Sequence, residues 1–336
     1  MAKSKNFKAF LVEQASDQQF KRTIIEKSIE ELPQGDVLVR VHFSSLNYKD
    51  ALSATGNKGV TRNYPHTPGI DAAGEVEQSS NEHFKPGDEV IVTSYDLGMN
   101  TAGGFEQYIR VPSEWVVPMP KGFTARDSMV YGTAGFTAGL SVYQLRQHGV
   151  TPEKGEILVS GATGGVGGIA VSILAKAGYS VAAVNGLSDA AGYLKEIGAE
   201  SVISIEDATD KSGRPLLKSR WAGSIDTVGG DILATTVKSL KSAGVVTCCG
   251  NVASADLPLS VFPFILRGAI LVGIDSQNCP MTVRKKIWEK LADEWRVPLF
   301  EQRVSEITLD ELDERIDMMM QRKHQGRTIV NLESEK

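Results

Sequence analysis

The sequence predicts an α/β protein with two domains, a mostly β domain followed by a doubly wound parallel sheet. The chain has 336 residues, and at roughly 150 residues per domain this length favours two cores. Its first third contains short β segments separated by turns. From about residue 126 onward, apolar β-branched runs alternate with amphipathic helical stretches, a pattern typical of βαβ units. We therefore expect one domain over 1–126, a second over 127–275 and a C-terminal segment, 276–336, that returns to the first domain.

The first domain is predicted to be a small, irregular antiparallel barrel. A strong turn signal lies at Lys85 to Asp88, because proline presets φ and glycine accepts positive φ. The β segments that we predict around this turn are 8–13, 36–43, 69–77, 89–94 and 105–111.

The second domain is predicted to hold six parallel strands with helices between them, which is a complete doubly wound sheet. The predicted strands are 157–160, 181–185, 201–205, 224–228, 244–249 and 269–274. The tail is predicted to form helices over 282–295 and 308–325 and a strand over 327–332.

The overall charge and the cysteine content limit the possible partners. A formal net charge of -5 argues against nucleic acid or an anionic membrane surface, which are normally met by a basic face. No apolar run approaches the roughly 18 residues of a membrane span, and the charged N-terminal residues carry no apolar signal core. Three cysteines without scaffold spacing suit a reducing compartment. We expect a cytoplasmic protein that acts on a small molecule.

A glycine-rich loop, GATGGVGG at 161–168, follows the first strand of the second domain and precedes an apolar helical run over 169–177. Glycines let the chain turn sharply, let backbone N–H groups approach a pyrophosphate and let a helix pack closely on a strand. Because the required strand and helix flank the loop, the sequence predicts a dinucleotide site.

The end of the next strand indicates which dinucleotide is bound. An acidic residue there would accept hydrogen bonds from a free ribose 2′-hydroxyl and repel the 2′-phosphate of NADP. The chain has Asn185, Gly186 and Leu187 instead, with no acid before Asp189. This turn favours NADP over NAD, although it offers no arginine to the phosphate.

The chemistry of the common alcohol dehydrogenases is missing. A catalytic zinc would need cysteine and histidine ligands in the first domain, yet all three cysteines follow residue 247 and the five histidines lack ligand spacing. None of the eight tyrosines has a lysine four residues later, the pair that short-chain dehydrogenases use. We therefore expect no metal site, and an acceptor whose C=C bond is conjugated to a carbonyl and so supplies its own electron sink.

Several runs resemble those of the zinc-free medium-chain dehydrogenase/reductases, namely SSLNYKDA at 44–51, PGID at 68–71, KPGDEV at 85–90, GTAGFTA at 132–138 and the glycine loop. Further runs are similar to the YhdH/YhfP branch, whose members are named quinone oxidoreductases and NADPH-dependent acryloyl-CoA reductases. These runs are WAGSIDTV at 221–228, PFILR at 263–267, GIDS at 273–276 and QGRT at 325–328.

The resemblance implies a GroES-like barrel, a Rossmann domain and a homodimer joined through the last Rossmann strand. It also implies which residues line the NADP site. In this sequence those positions are Thr163, Gly164, Gly165, Val166, Asn185, Gly186, Leu187, Gly250, Asn251, Ile265 and Ser276.

Two further residues are candidates for contact with the nicotinamide. Tyr48 resembles the family's tyrosine near the nicotinamide. Its phenol would position the nicotinamide ring or hydrogen-bond the substrate oxygen on which charge develops. The alternative is that Tyr48 only packs against its neighbours. Thr133 would bind the carboxamide or only cap a helix. We interpret Asn47, Asp50 and Asp71 as structural.

The leading hypothesis is NADPH-dependent reduction of an α,β-unsaturated acyl-CoA such as acryloyl-CoA. Quinone or enone reduction by the same residues is the alternative, and an NADPH-binding sensor or structural protein with little turnover is a third possibility.

The turn after the second strand generates a prediction about cofactor preference. Leu187→Arg should raise the ratio of NADPH to NADH affinity, because a guanidinium makes charge-assisted bonds to phosphate. Asn185→Asp should lower that ratio by placing a like charge beside the phosphate. Titration of both cofactors into the wild type and the two variants measures the ratios, and a wild type that prefers NADH would contradict this interpretation of the turn.

Overall fold

The computed structural model describes residues 5–186, 190–298, 303–324 and 326–333. The chain divides into two compact units. Of the described residues, the first unit holds those up to Thr133, those of Gln277–Ala292 and those beyond Leu299. The second holds Ala134–Ser276 and Asp293–Pro298.

The strands and helices are named here in chain order. The strands are β1 (Asn6–Ser16), β2 (Gln19–Ser28), β3 (Val37–Leu46), β4 (Asp71–Ser79), β5 (Glu89–Thr93), β6 (Tyr108–Val111), β7 (Val116–Pro118), β8 (Ile157–Val159), β9 (Val181–Asn185), β10 (Ser201–Ser204), β11 (Trp221–Asp226), β12 (Leu240–Cys248), β13 (Ile270–Gly273), β14 (Val304–Ile307) and β15 (Arg327–Asn331). The helices are α1 (Tyr48–Ala54), α2 (Ala125–Gln147), α3 (Gly165–Lys176), α4 (Ala191–Glu196), α5 (Gly230–Lys238), α6 (Phe262–Arg267), α7 (Met281–Ala292) and α8 (Leu312–Met320).

The first unit is built on a mostly antiparallel sheet. Its strand order is β14-β15-β3-β4-β5-β7, with β6 also paired to β3, and only the β14–β15 pair is parallel. Alternate residues of β3 and β4 enter one apolar core, which includes Val39, Val41 and Val76, because successive side chains of a strand point to opposite faces. The hairpin of β1 and β2 forms a separate two-stranded sheet.

The second unit contains a six-stranded parallel sheet in the order β10-β9-β8-β11-β12-β13. The strand order reverses between β8 and β11, which is where ligands bind in open sheets of this kind. The α/β fold class is therefore confirmed, as a Rossmann-like parallel sheet together with a mostly β domain. Among the described residues, no helix is both long enough and apolar enough to cross a membrane.

Sequence reasoning missed several elements and misplaced others. It missed β2, a charged and half-buried strand that lacks clean alternation of apolar and polar residues, and α1, which is too short at 7 residues to show a helical period. The fourth parallel strand begins at Trp221 and not at residue 224. The helix predicted over 308–325 is instead a 3-10 turn, Leu309–Glu311, followed by the shorter α8.

A buried ion pair joins the β1–β2 hairpin to the rest of the first unit. Lys27 Nζ lies 2.6 Å from Glu106 Oε2, and the Glu106 side chain is fully buried. Burial raises the pKa of Glu106 to about 7, although the charge of Lys27 acts to lower it. Since this folded-state pKa exceeds the ordinary value of 4.5, the stability that Glu106 contributes is greatest at acid pH and falls as the pH rises through about 7.

Removing the cation should make this pH dependence steeper. We expect Lys27→Met to lower the free energy of unfolding by about 3 kcal/mol at pH 8, where it leaves a carboxylate buried without its partner. At pH 5 the loss should be much smaller, because Glu106 then holds a proton. Denaturant titration at both pH values measures the difference, with the Lys27→Met/Glu106→Gln double variant as control. An equal loss at the two pH values would contradict the expectation.

Candidate active site

The glycine loop of the second unit connects β8 to α3 in a tight turn. Gly161 has a φ of +59°, and a Cβ placed on it would lie 2.2 Å from Thr227 Oγ1. A Cβ on Gly167 would lie 2.3 Å from the Gly161 carbonyl oxygen, so only glycine lets α3 approach the end of β8 this closely. Helix α3 begins at Gly165 and runs for 12 residues, so its N-terminal N–H groups and dipole favour an anion at this turn.

Three polar residues fix the strand ends beneath the loop. Ser160 Oγ donates to Asp226 Oδ1 at 2.7 Å, and the N–H of Thr227 donates to Ser160 Oγ at 3.0 Å. Asp226 Oδ2 also accepts from the N–H of Gly229 at 2.8 Å. Burial raises the pKa of Asp226, while its hydrogen bonds act to lower it. The ends of β8 and β11 are thus held together at the point where the strand order reverses.

The other proposed cofactor positions of the second unit follow the carboxyl ends of parallel strands, which lie along one edge of a sheet. Asn185 ends β9 and is followed by Gly186; Gly250 and Asn251 follow β12, and Ser276 follows β13. A Cβ on Gly250 would lie 2.1 Å from the Thr227 carbonyl oxygen, which explains the glycine there.

Two proposed cofactor residues stand apart from this edge. Leu187 lies outside the described residues. Ile265 belongs to α6 and is 67% exposed, next to the equally apolar Leu266, so its assignment to the NADP site stays a prediction.

In the first unit, a fully buried carboxylate collects hydrogen bonds from three elements. Asp71, the first residue of β4, accepts at Oδ2 from Ser45 Oγ at 2.6 Å, from Asn47 Nδ2 at 2.7 Å and from the N–H of Thr133 at 2.8 Å. Its Oδ1 accepts from Thr133 Oγ1 at 2.5 Å. The carboxylate therefore ties β3 and the start of α1 to α2.

Helix α2 is broken at the residue before Thr133. Gly132 has a φ of 51° and a ψ of -156°, which is not helical, so the helix restarts with Thr133 and the Asp71 carboxylate binds its first N–H. A Cβ on Gly132 would lie 2.6 Å from Asp71 Oδ2 and 2.7 Å from Arg327 Nη2. Thr133 is thus at the start of a helical segment, as predicted, and its hydroxyl is held by a buried charge.

The Arg327 guanidinium provides the positive charge of this cluster. Its Nε donates to the Val130 carbonyl at 2.9 Å, Nη1 donates to Asn47 Oδ1 at 3.2 Å and Nη2 donates to Ser45 Oγ at 3.0 Å. Burial lowers the pKa of Arg327, while Asp71 and Asp50 act to raise it. We call these residues, Ser45, Asn47, Asp50, Asp71, Thr133 and Arg327, the Asp71 cluster.

Asp50 is the second buried acid of the cluster. Its Oδ2 accepts from the N–H of Asn47 at 2.7 Å, and its Oδ1 accepts from the N–H of Ile70 at 2.8 Å. Burial raises the pKa of Asp50 to about 7, and the neighbouring charge of Asp71 adds to the rise. Asp50 thereby fixes the first turn of α1.

Tyr48 is the first residue of α1 and is 45% exposed, although Asn47 before it and Asp50 in the same helical turn are buried. Its neighbour Asn47 and the distant Thr133 both bind the Asp71 carboxylate. Thr133 therefore belongs to the buried Asp71 cluster, and Tyr48 directly follows a member of it and has an accessible side chain.

Ser94 completes the surroundings of Thr133. Its Oγ lies 3.0 Å from Thr133 Oγ1, and its N–H donates to the Ile70 carbonyl at 2.7 Å. Ser94 and Tyr95 have φ values of 62° and 51°, a left-handed conformation that costs roughly 1–2 kcal/mol for each non-glycine residue. The Tyr95 ring is held between the Trp115 ring, 5.7 Å away, and the Arg284 guanidinium, 4.3 Å away.

The residues described by the structure do not fit a zinc ion. Among them no group of three or more His, Cys, Asp or Glu side chains could hold a metal. Cys248 ends β12 and Cys249 follows it. Burial raises the pKa of the Cys249 thiol to about 12, which disfavours the thiolate that binds metal.

Comparison with known proteins identifies both units. Residues 33–121 match the alcohol dehydrogenase GroES-like domain, and residues 165–293 match the zinc-binding dehydrogenase domain. The chain is 46% identical to YhfP of Bacillus subtilis, provisionally named a quinone oxidoreductase, over 91% of this chain and 93% of YhfP. The chain belongs to the medium-chain dehydrogenase/reductase family. The acrylyl-CoA reductase AcuI of Ruegeria pomeroyi is 42% identical to this medium-chain dehydrogenase/reductase over 91% of this chain and 92% of AcuI.

Two solved structures of this family superpose closely on the chain. The yhdH oxidoreductase of Salmonella enterica, in complex with NADP, has a TM-score of 0.94 at 41% identity and covers 97% of this chain and 100% of its own. The Bacillus subtilis yhfP, with NAD bound, has a TM-score of 0.95 at 44% identity and covers 98% of this chain and 100% of its own. The recognition of the family from sequence motifs is confirmed.

Sequence reasoning missed the Asp71 cluster as a unit. It treated Asn47, Asp50 and Asp71 as separate braces and gave no role to Ser45, Ser94 or Arg327. The run QGRT at 325–328 was the available signal, since an arginine at the start of a buried strand needs a carboxylate partner.

Proposed function

We propose that this medium-chain dehydrogenase/reductase reduces a conjugated C=C bond with NADPH, acting on an α,β-unsaturated acyl-CoA such as acryloyl-CoA. The observation that carries the proposal is the 42% identity to the acrylyl-CoA reductase AcuI over 91% of this chain. The accessible Tyr48 phenol, fixed at the start of α1, provides a hydrogen-bond donor of the kind that such a reaction needs.

The glycine loop fits a dinucleotide. Gly161 and Gly167 bring backbone and helix together where a side chain would clash, and α3 directs its N-terminus at the turn. We propose that Thr163, Gly164, Gly165 and Val166 hold the pyrophosphate. The residues that follow the carboxyl ends of the parallel strands would line the rest of the cofactor site, namely Asn185, Gly186, Gly250, Asn251 and Ser276. Because NADP is bound to the yhdH protein and NAD to yhfP, we expect NADPH to be preferred here by a modest margin.

NADPH, when bound, supplies the hydride that reduces the β-carbon of the acceptor. The Tyr48 hydroxyl then donates a hydrogen bond to the carbonyl oxygen, on which negative charge develops as the enolate forms. The α-carbon takes up a proton to complete the reduction. The buried Asn47–Asp50 contact, at 2.7 Å, holds the first turn of α1 and so limits the positions that the Tyr48 ring can adopt.

We propose that this reaction proceeds without zinc. The conjugated carbonyl polarises the bond that is reduced, so the acceptor does not need the metal that acidifies a plain alcohol. The donor set of the described residues offers no group of metal ligands, in spite of the name of the family domain that residues 165–293 match.

The main alternative is quinone or enone reduction, which the provisional name of YhfP favours. An NADPH-binding sensor or structural protein is the third candidate. NADPH oxidation with acryloyl-CoA, crotonyl-CoA and quinones, each with and without a metal chelator, separates all three. We expect the highest kcat/KM with acryloyl-CoA and no loss in chelator; faster quinone reduction, chelator-sensitive activity or no turnover would each contradict the proposal.

The second unit also carries a surface suited to a second copy of the chain. Leu266 and Val261 of the α6 region are 62% and 64% exposed, and β13 is the outermost strand of the sheet order. An outer strand has backbone groups available for pairing, and exposed apolar side chains beside it favour burial against a partner. We propose that the protein is a homodimer joined along β13.

The Tyr48 hydroxyl should contribute to turnover. Tyr48→Phe should reduce kcat by about tenfold or more, because it removes a bond that strengthens as charge develops. Tyr64→Phe is the matched control, since the Tyr64 hydroxyl donates to the Ser53 carbonyl at 2.6 Å and so braces the same unit. Steady-state and single-turnover kinetics measure both, and an unchanged kcat in Tyr48→Phe would return this residue to a packing role.

The dimer proposal predicts different outcomes at the two edges of the parallel sheet. Leu266→Glu should sediment as a monomer, because it places a charge in the apolar contact. Ile205→Glu, at a residue that is 50% exposed after the opposite outer strand β10, should remain a dimer. Analytical ultracentrifugation measures both, and a monomeric wild type would refute the proposal.

A further inference from the structure

The Thr133 hydroxyl is constrained in its hydrogen-bonding direction. A hydroxyl carries one hydrogen, and a carboxylate can only accept. Thr133 Oγ1 lies 2.5 Å from Asp71 Oδ1, so the hydrogen of Thr133 is committed to Asp71. Every other partner of Thr133 Oγ1 must therefore be a donor.

The contact with Ser94 follows the same rule. Ser94 Oγ lies 3.0 Å from Thr133 Oγ1, and since Thr133 donates to Asp71, Ser94 must donate to Thr133. Ser94 has a left-handed backbone conformation, and its N–H donates to the Ile70 carbonyl at 2.7 Å, which fixes the backbone of the serine here. Asp71, Thr133 and Ser94 thus form a chain of hydrogen bonds with a single direction, from the serine to the carboxylate.

We propose that Asp71 is a positioning residue that makes the Thr133 hydroxyl a hydrogen-bond acceptor, so that this position selects a ligand carrying an N–H donor. The inference rests on the proposed function, in which the ligand is NADP(H). The N–H donor at this position would then be that of the nicotinamide carboxamide. A donating Thr133 would recognise the carbonyl oxygen of the carboxamide instead. The direction of the bond therefore determines which half of the carboxamide is recognised.

Asp71 also caps the helical segment that restarts at Thr133, because its Oδ2 accepts the N–H of that residue at 2.8 Å. If Asp71 acted only as a helix cap, it would stabilise the fold, and its loss would lower the affinity for every cofactor by the same factor. A positioning role makes a different prediction, since it concerns one atom of the ligand.

Asp71→Asn should reverse the direction of the bond with little change in shape. The Oδ2 position faces three donors, Ser45 Oγ, Asn47 Nδ2 and the N–H of Thr133, so the amide oxygen should remain there. The amide NH₂ would then occupy the Oδ1 position and donate to Thr133 Oγ1. The hydrogen of Thr133 would be released, and its hydroxyl could donate to a ligand.

The experiment compares the binding of NADP with that of its 3-acetylpyridine analogue, which keeps the carbonyl but has no N–H on that group. For the wild type we expect the analogue to bind about tenfold more weakly, the effect of one lost hydrogen bond to an oriented acceptor. For Asp71→Asn we expect the two dissociation constants to lie within about twofold of each other. An Asp71→Asn protein that binds NADP and keeps the tenfold ratio would overturn the proposal.

Variants of Thr133 provide a second test that leaves the buried carboxylate in place, in case Asp71→Asn does not fold. Thr133→Val should abolish the preference for NADP over the analogue, and Thr133→Ser should retain it. A Thr133→Val protein that keeps the wild-type ratio would overturn the proposal even though NADP still binds. Failure of the wild type to bind NADP at all would instead refute the proposed function.

Discussion

The burial of the Arg327 guanidinium is the constraint on which the first unit depends. Leaving such a charge without partners in the interior costs several kcal/mol, so the surrounding chain must supply acceptors. Val130, Asn47 and Ser45 accept its hydrogen bonds, and Asp71 and Asp50 supply the compensating charge. These residues come from β3, β4, α1 and α2, while Arg327 begins β15 near the end of the chain. One ion cluster therefore joins distant parts of the sequence and at the same time fixes the residues beside Tyr48 and Thr133.

The two units meet the demands of ligand binding with different chemistry. In the second unit, glycines allow the backbone itself to form the surface of the loop, and the side chains of Ser160, Asp226 and Thr227 brace it. A backbone surface of N–H groups suits an anion whose charge does not change during the reaction. In the first unit, ionised side chains orient hydroxyl groups, which suits a contact where the direction of a single hydrogen matters. Rigid placement of both is what hydride transfer in an oxidoreductase requires, because the reacting groups must be held in the correct geometry.

Much of the fold could be predicted from the sequence, because the six parallel strands are apolar runs between clear breaks and the GATGGVGG loop has its strand and helix on either side. The elements that escaped prediction lack such signals. Strand β2 is charged and half-buried, and α1 is shorter than two full periods of an amphipathic helix. Arg327 at the start of a buried strand signals that a carboxylate partner is needed, but the sequence does not identify that partner. Residues 45, 71, 133 and 327 meet only through tertiary packing, so the Asp71 cluster could not be assembled from the sequence.

The charge balance of the cluster also determines how it responds to pH. With Asp71 and Asp50 both ionised against one guanidinium, the cluster carries an excess negative charge in the interior. The pKa of Asp50, raised to about 7 by burial and by Asp71, lets a proton remove that excess. Because this folded-state value lies above the ordinary 3.8, the stability contributed by Asp50 is present at low pH and decreases as the pH rises through about 7. A proton on Asp50 therefore brings the carboxylate charge of the cluster closer to that of the single Arg327 guanidinium, while the four hydrogen bonds that Asp71 accepts join β3, the start of α1 and α2.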